Sequence, residues 1–287
     1  SSDRPTNTIV NLVDGQETGR IPGKSGKSII PNDLITAINN AIKDKKTEVS
    51  VALVDVPSPL KYTRSYTRSS AGLQDLLSQI TLGKEISIRY VDINDRGWVA
   101  GSREHTNSNM ASTYKMFVTY SVLKRIDEGS MHFSDSVNGQ TTDECLQKVI
   151  IDSNNECAIA LAERIGWLKI ADEGRAIGAM DLDWSKELIG SAYDASIVPI
   201  KLARGEILTE SSRNYMLDLM RRQRFRSGIP AGTAHVVADK VGFIDGWLND
   251  AGIVYAPDMT YVLAVYTKDQ SWATIAEITR QIESLTL

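Results

Sequence analysis

Apolar and polar positions divide the chain into segments of distinct period. Leu34, Ile35, Ile38, Ala41 and Ile42 recur at helical spacing, and Val49-Ser50-Val51-Ala52-Leu53 then alternates as a strand does. The same order returns in Leu73, Leu76, Leu77 and Ile80, a second helical stripe ahead of the alternating Ile86-Ser87-Ile88-Arg89-Tyr90. At one constant offset Glu48, Ser50, Val54 and Asp55 meet Glu85, Ser87, Val91 and Asp92. That is either a short internal duplication or a chance likeness between two helix–hairpin units. Residues 112–128 form an apolar-rich helix (Met116, Phe117, Val118, Val122, Leu123, Ile126) that Gly129 ends. Further helices are expected near 142–151, 155–165 and 210–222, with strands near 235–242, 250–256 and 260–267. A closing helix carries Ile275, Ile278, Ile282 and Leu285 on one face. Two early strands, helices in the middle and three late strands imply an α/β (α+β) fold. Its antiparallel sheet is built from both chain ends and covered by helices, with a helical lobe beside it.

The first 70 residues have a different texture. Pro5, Pro22, Pro31, Pro57 and Pro59 fall there, five of the chain's eight prolines, with a Gly/Lys/Ser-rich tract from Gly19 to Ser28. Residues 1–30 are therefore expected to be an irregular arm. The predicted division is an N-terminal extension over 1–70, arm plus helix–hairpin, and a second, larger domain over 71–287. Gly26-Lys27-Ser28 suggests a phosphate loop, but Ile21 stands where its first glycine is required, so that reading fails.

Composition narrows the function classes. Lys and Arg number 32 against 36 Asp and Glu, a net charge of −4, which argues against a nucleic-acid partner needing a basic face. No stretch approaches the roughly 18 consecutive apolar residues of a membrane helix. Cys145 and Cys157 are too few for a Cys-only zinc site, and His105, His132 and His235 are isolated, so neither a metal nor another cofactor is expected. The chain opens Ser1-Ser2-Asp3 without an initiator Met, which leaves room for a removed signal or membrane anchor.

The leading chemical motif is Ser112-Thr113-Tyr114-Lys115. On a helix, positions i and i+3 share a face, so the Lys amine reaches the Ser hydroxyl. Desolvation or a nearby cation lowers a Lys pKa enough for it to accept the Ser proton. At the first helical turn, free N–H groups and the helix dipole favour a developing oxyanion. Ser58-Pro59-Leu60-Lys61 and Ser121-Val122-Leu123-Lys124 match the same spacing, so the motif alone selects nothing. Ser153-Asn154-Asn155, between two helical segments, and Lys240-Val241-Gly242, after an apolar strand, supply the selection. Their bland readings are a helix N-cap for Ser153 and a surface strand end for Lys240. Gly242 would let a substrate backbone approach the strand edge. Ser136-Val137-Asn138 and Lys24-Ser25-Gly26 are decoys; the order and setting of the three elements together are specific.

With these motifs the sequence resembles the class A β-lactamases and related penicillin-recognising serine hydrolases, a β-lactamase/transpeptidase-like fold, over residues 72–287. Gly205-Glu206-Ile207-Leu208, Ser212-Arg213, Ile229-Pro230-Ala231-Gly232, Ala238-Asp239-Lys240 and Asn249-Asp250-Ala251-Gly252-Ile253-Val254 fit as well. The resemblance implies that Ser112 is the acylated nucleophile and Lys115 its base, with Ser153 relaying a proton to the leaving nitrogen. It implies that Asn155 holds the substrate's side-chain amide, that Lys240 directs positive charge toward a substrate carboxylate, and that the Ser112 and Phe243 N–H groups form the oxyanion hole. The implied substrate is a β-lactam or a D-Ala-D-Ala-like, peptidoglycan-type amide, and the implied location is extracytoplasmic.

Departures qualify this. Asn154 replaces an Asp, and Val241 replaces a Thr whose hydroxyl would help bind the carboxylate. Ser185 falls where the family has a water-activating Glu, and the surrounding loop looks deleted, so hydrolysis of the acyl-enzyme is expected to be weak. Glu187 is either a substitute for that Glu or a carboxylate on a surface helix. Arg226 is either a second carboxylate ligand or a structural residue. Cys145 and Cys157 flank the Ser-Asn-Asn turn; a disulfide across it is expected, the alternative being two buried thiols. A sensor without turnover and a scaffold remain as alternatives to an enzyme. A histidine-based triad through His105 finds no Gly-x-Ser-x-Gly elbow.

Overall fold

A computed structural model describes residues 4–94 and 96–287, and the chain divides into two compact units, residues 1–67 and 68–287. In the first, Thr8–Val13 (β1) and Gln16–Ile21 (β2) form an antiparallel hairpin. Its two-residue turn, Asp14-Gly15, has both φ angles positive (50° and 78°), the conformation that Asp-Gly favours between strands. Alternation buries Thr8, Val10 and Leu12 of β1. Gly26–Ile29 (β3) follows, then Pro31–Lys43 (α1), Leu53–Val56 (β4) and Leu60–Ser65 (β5). β5 pairs with β1 in parallel and β4 with β3 antiparallel. The irregular arm expected over 1–30 is thus corrected to three strands from Thr8 onward. Its glycines and prolines mark turns, and the Asp-Gly pair was the signal for a hairpin. Pro31 opens α1, where a missing N–H costs nothing, yet its stripe is barely covered: Ala41 is buried, while Ile35, Ile38 and Ile42 are exposed.

The second unit is built on a five-stranded antiparallel sheet. Ser70–Thr81 (α2) leads into Ile86–Asp92 (β6) and Val99–Ser102 (β7), and the chain returns much later through Val236–Ile244 (β12), Trp247–Ala256 (β13) and Met259–Lys268 (β14). Their order is β12-β13-β14-β6-β7, which joins both ends of the unit as expected and leaves β12 at an edge. The strand read over 49–53 is not in this sheet; pairing begins at Leu53 in β4, and β7 is the second early strand. The two helix–strand units suspected of duplication therefore have different pairing partners. The closing helix, Trp272–Thr286 (α9), packs on α2, which lies against β6 and β7.

Between these strands lies the helical lobe. Ser108–Asn109 (β8) leads into a 3-10 turn, Ala111–Tyr114, and then Lys115–Asp127 (α3). Every residue of α3 from Lys115 to Leu123 is buried, as expected of a helix with apolar groups all round. The short hairpin Ser136–Val137 (β9) and Gln140–Thr141 (β10) precedes Thr142–Ile151 (α4), Asn155–Ile165 (α5) and Trp167–Ala176 (α6). Ile189–Gly190 (β11) then pairs with β8. Ala192–Arg204 (α7) lies against β6, β13 and β14, and Glu210–Arg221 (α8) against β12. Helices α4, α5, α6 and α8 surround α3. Among the described residues no helix is long and apolar enough to cross a membrane.

Candidate active site

The turn carrying Ser112 is held from three sides. Asn109 Oδ1 accepts a hydrogen bond from the Ala111 N–H at 2.8 Å, and Asn249 Nδ2 donates to the Asn109 carbonyl at 2.9 Å. The Met110 N–H donates to the Leu188 carbonyl at 2.9 Å. Ala111 takes φ = 46°, a region a non-glycine residue rarely enters and one often used at functional turns. Ser112 sits in the 3-10 turn, one turn before the α-helix proper, so its neighbours' N–H groups are not consumed by an α-helical ladder.

Beneath it, β12 passes close. A Cβ on Gly242 would lie 2.6 Å from Ser112 N, 2.8 Å from the Met110 carbonyl oxygen and 2.9 Å from the Ala111 Cβ. The glycine read as space for a substrate backbone is therefore space already taken by the nucleophile's own turn.

The groups singled out in the sequence converge here. Lys115 Nζ lies 3.0 Å from Ser112 Oγ, and donates to the Ser153 carbonyl and to Asn155 Oδ1, both at 2.6 Å. Ser153 Oγ is 3.3 Å from Lys115 Nζ and 3.0 Å from Lys240 Nζ, which also donates to the Val241 carbonyl at 2.7 Å. Neither bland reading holds: Asn154, not Ser153, caps α5, its Oδ1 accepting from the Cys157 N–H at 2.8 Å. Lys240 is wholly buried in the middle of β12. That cap gives Asn154 a local role, and it leaves Ser153 at φ = 57°, turned toward the two amines. The turn is clamped by a disulfide between Cys145 of α4 and Cys157 of α5, Cα–Cα 5.2 Å.

Burial sets the electrostatics. It pulls Lys115 down to about 8, and it pulls Lys240 down to about 7 with help from the Lys115 charge. Both amines are therefore partly neutral near pH 7. Behind Lys240, Asp239 and Asp250 are buried side by side. Burial pushes Asp250 up to about 6, and burial together with the Asp250 charge pushes Asp239 well above the usual carboxylate range. Arg226 bonds to Asp239 Oδ1 and, at 3.0 Å, to the Val237 carbonyl, which makes it structural.

A cavity of about 310 Å³ opens over Ser112 and is lined also by Asn109, Tyr114, Asn155, Leu188, Phe243 and Glu187. Phe243, on the free edge of the sheet, reaches the same cavity as Ser112. Glu187 lies in no helix; it stands in the segment 184–188, closed where the Asp183 and Ile189 backbones exchange hydrogen bonds of 3.0 and 3.2 Å. The surface-helix reading of Glu187 is thus corrected, and only a tight loop occupies the position of the expected deletion. Ser185 Oγ donates to Asp183 Oδ1 at 2.7 Å. Asn109 and Asn249 were given no role from the sequence because nothing local distinguishes a turn-holding Asn from a solvated one. His105 bonds to Asp181 at 2.8 Å and stacks on Tyr193 rather than meeting Ser112. In the decoy motifs, Ser58 Oγ donates to the Thr6 carbonyl, and Lys124 pairs with Glu128.

Comparison with known proteins shows the family and the fold. Residues 68–285 match the model of a family described as the β-lactamase enzyme family. Among solved structures, PBP-A is similar at 20% identity with a TM-score of 0.68, over 74% of this chain and 94% of that one. An ancestral class A β-lactamase is similar at 21% identity and TM-score 0.68, over 74% and 99%. A PBP-A mutant captured as an acyl-enzyme complex with penicillin G matches at 20% identity and TM-score 0.67, over 75% and 94%.

Proposed function

Because the chain belongs to the β-lactamase enzyme family, we propose that it is an acyl-serine enzyme acting on peptide-like amides of the D-Ala-D-Ala type and on β-lactams that mimic them. The observation that carries this reading is the buried Lys115 amine 3.0 Å from the Ser112 hydroxyl. Neutral Lys115 takes the Ser112 proton as Oγ attacks the acyl carbon, and the N–H groups of Ser112 and Phe243 receive the oxyanion. The proton then reaches the leaving nitrogen through Ser153, whose hydroxyl lies within 3.3 Å of both amines. Asn155, at the cavity rim, holds the acyl side of the substrate, and buried Lys240 keeps the Ser153 hydroxyl oriented.

Deacylation is the slow step in this reading. Ser185 stands where a water-activating carboxylate is expected, and general-base assistance is worth about 10²–10⁴-fold. The same observation supports a second reading, a receptor that traps acyl donors without turnover. The buried disulfide and the family support an extracytoplasmic location. Residues 1–67 contain none of the groups invoked, so the chemistry is assigned to the second unit.

Incubation with benzylpenicillin and, separately, with an N-acyl-D-alanyl thioester, read by intact mass, tests the assignment. A one-to-one adduct on the wild type that is lost in Ser112→Ala supports it; an adduct from neither compound overturns it. Multiple turnover of an acyl-D-Ala-D-Ala peptide separates enzyme from receptor.

A further inference from the structure

Two indole rings pack against the nucleophile's turn. Trp184, at the start of the segment 184–188, is buried, with its ring edge-on to Tyr114 and to Phe117, both at 6.1 Å between centroids. Trp167, the first residue of α6, lies 6.2 Å from the Trp184 ring and 5.7 Å from that of Tyr114. Rings in mutual contact at this spacing make a fixed wall. Tyr114 closes the 3-10 turn that carries Ser112 and also lines the Ser112 cavity, so the aromatic cluster is continuous with the site.

Trp167 and Trp184, with Leu168, Leu188 and the exposed residues 185–187, line a second cavity of about 410 Å³. That is within the range of small-molecule pockets, and a benzene ring needs only about 150 Å³. Apolar side chains form its walls and polar ones its edge. Leu168 is 58% exposed there, while the rest of α6 turns Ile170, Ala171 and Gly174 inward. Glu187 and Leu188 line both cavities, whereas Phe243 and Ile244 of β12 line only the first.

In the acylation reading the leaving group lies toward Ser153, Lys240 and β12, where a terminal carboxylate meets the Lys240 charge. The acyl portion, held at Asn155, then runs toward Glu187 and Leu188, and so into the second cavity. We propose that the cavity of Trp167, Leu168, Trp184 and Leu188 is an acyl-side subsite that takes an apolar aryl or alkyl stem of about ten carbons. The proposal rests on the Ser112 acylation reading above and adds a preference among acyl donors, for a long apolar substituent over a short or a charged one. In the step itself the Ser112 Oγ–acyl carbon bond forms and the bond from that carbon to the leaving N, O or S breaks. The Ser112 proton departs on the leaving group by way of Lys115 and Ser153.

Three N-acyl-D-alanyl thioesters of one carboxylate-bearing thiol test it, with acetyl, 2-naphthylacetyl or a six-carbon chain ending in carboxylate as the N-acyl group. Lys186 at the cavity edge makes the charged chain a fair competitor. Acylation of Ser112 is followed by intact mass. Burying an apolar ring is worth about a tenfold to hundredfold preference. The naphthylacetyl compound is expected to react at least tenfold faster than either of the others. Leu168→Asp, a change at a mostly exposed position checked for a native melting transition, is expected to lower the naphthylacetyl-to-acetyl ratio at least fivefold. A smaller preference on the wild type, or a smaller loss in Leu168→Asp, overturns the subsite and leaves the nucleophile assignment standing. An adduct from none of the thioesters nor from benzylpenicillin overturns both.

Discussion

The Lys240 ammonium stands 3.0 Å from the Ser153 hydroxyl although 87 residues separate them, and the Lys115 amine approaches the same oxygen to 3.3 Å. Two like charges around one hydroxyl are tolerated because burial and mutual repulsion favour the neutral amines. Acylation therefore depends on pH. Lys115 must be neutral to take the Ser112 proton, so the rate rises with pH through about 7–8, where the pair titrates, and then levels. Lys115→Arg, a permanent cation, is expected to lower acylation at least 10³-fold at pH 8. A profile flat from pH 5.5 to 9 would sink this assignment.

The same burial weakens the fold at low pH. In the unfolded chain Lys240 holds its proton up to about pH 10.4, whereas in the folded state it releases it near 7. Between those values the unfolded chain binds more protons, so stability rises with pH, and below 7 the full penalty is present. Lys240→Met is expected to stabilise by about 2 kcal/mol at pH 6, after the unpaired Ser153 hydroxyl and Val241 carbonyl are allowed for. The advantage shrinks toward pH 10. Thermal melts across that range measure it, and a variant less stable at pH 6 than at pH 9, relative to the wild type, contradicts it.

Gly242 tests the packing of the nucleophile turn. A methyl group there would meet backbone at Ser112 and Met110 below 3 Å, so Gly242→Ala must displace the turn or the strand. Acylation is expected to fall about 100-fold, the usual cost of misplacing a reacting atom by an ångström. Binding of a non-reactive analogue is expected to weaken far less, which calorimetry reads. Unchanged acylation would show that the close approach does not position Ser112.

Much of this was legible in the sequence, for local reasons. The limits of α4 and α5 were readable although their caps were not, since Ser153 and not Asn154 stood as the cap candidate, and Ser112, Lys115, Ser153 and Lys240 were readable from their order along the chain. The hairpin at Asp14-Gly15 was obscured by the glycines and prolines around it. Helices α6 and α7 were not singled out, the one interrupted by Gly174 and the other by Pro199 within an otherwise helical pattern. Glu187 was misplaced because its segment is closed by a single backbone bridge that no periodicity announces.

Reducing or deleting the disulfide should act on the site as well as on stability. Cys145 and Cys157 close a loop of about a dozen residues that contains Ser153. Releasing it costs on the order of 3 kcal/mol by chain entropy. The double variant Cys145→Ala/Cys157→Ala is expected to melt several degrees lower and to acylate more slowly at temperatures well below its transition. Acylation at the wild-type rate there would assign the bond to stability alone.

Glu187 is the acidic residue among those lining the Ser112 cavity, so under the acylation reading it is the candidate for whatever water activation remains. Glu187→Gln is expected to leave acylation within about threefold and to lengthen the lifetime of the penicillin adduct tenfold or more. An unchanged lifetime, followed by mass after removal of free penicillin, excludes that role.

The segment from Asp183 to Ile189 is tied to itself at both ends and to Met110, so it frames the turn that carries Ser112. An acyl group on Ser112 is then exposed to whatever nucleophile reaches the rim of Asn155, Glu187 and Phe243. Its fate becomes a matter of competition: water at its fixed concentration on one side, amines at whatever concentration the surroundings supply on the other. Under the acylation reading, a site so framed would divide its product between hydrolysis and transfer according to its environment.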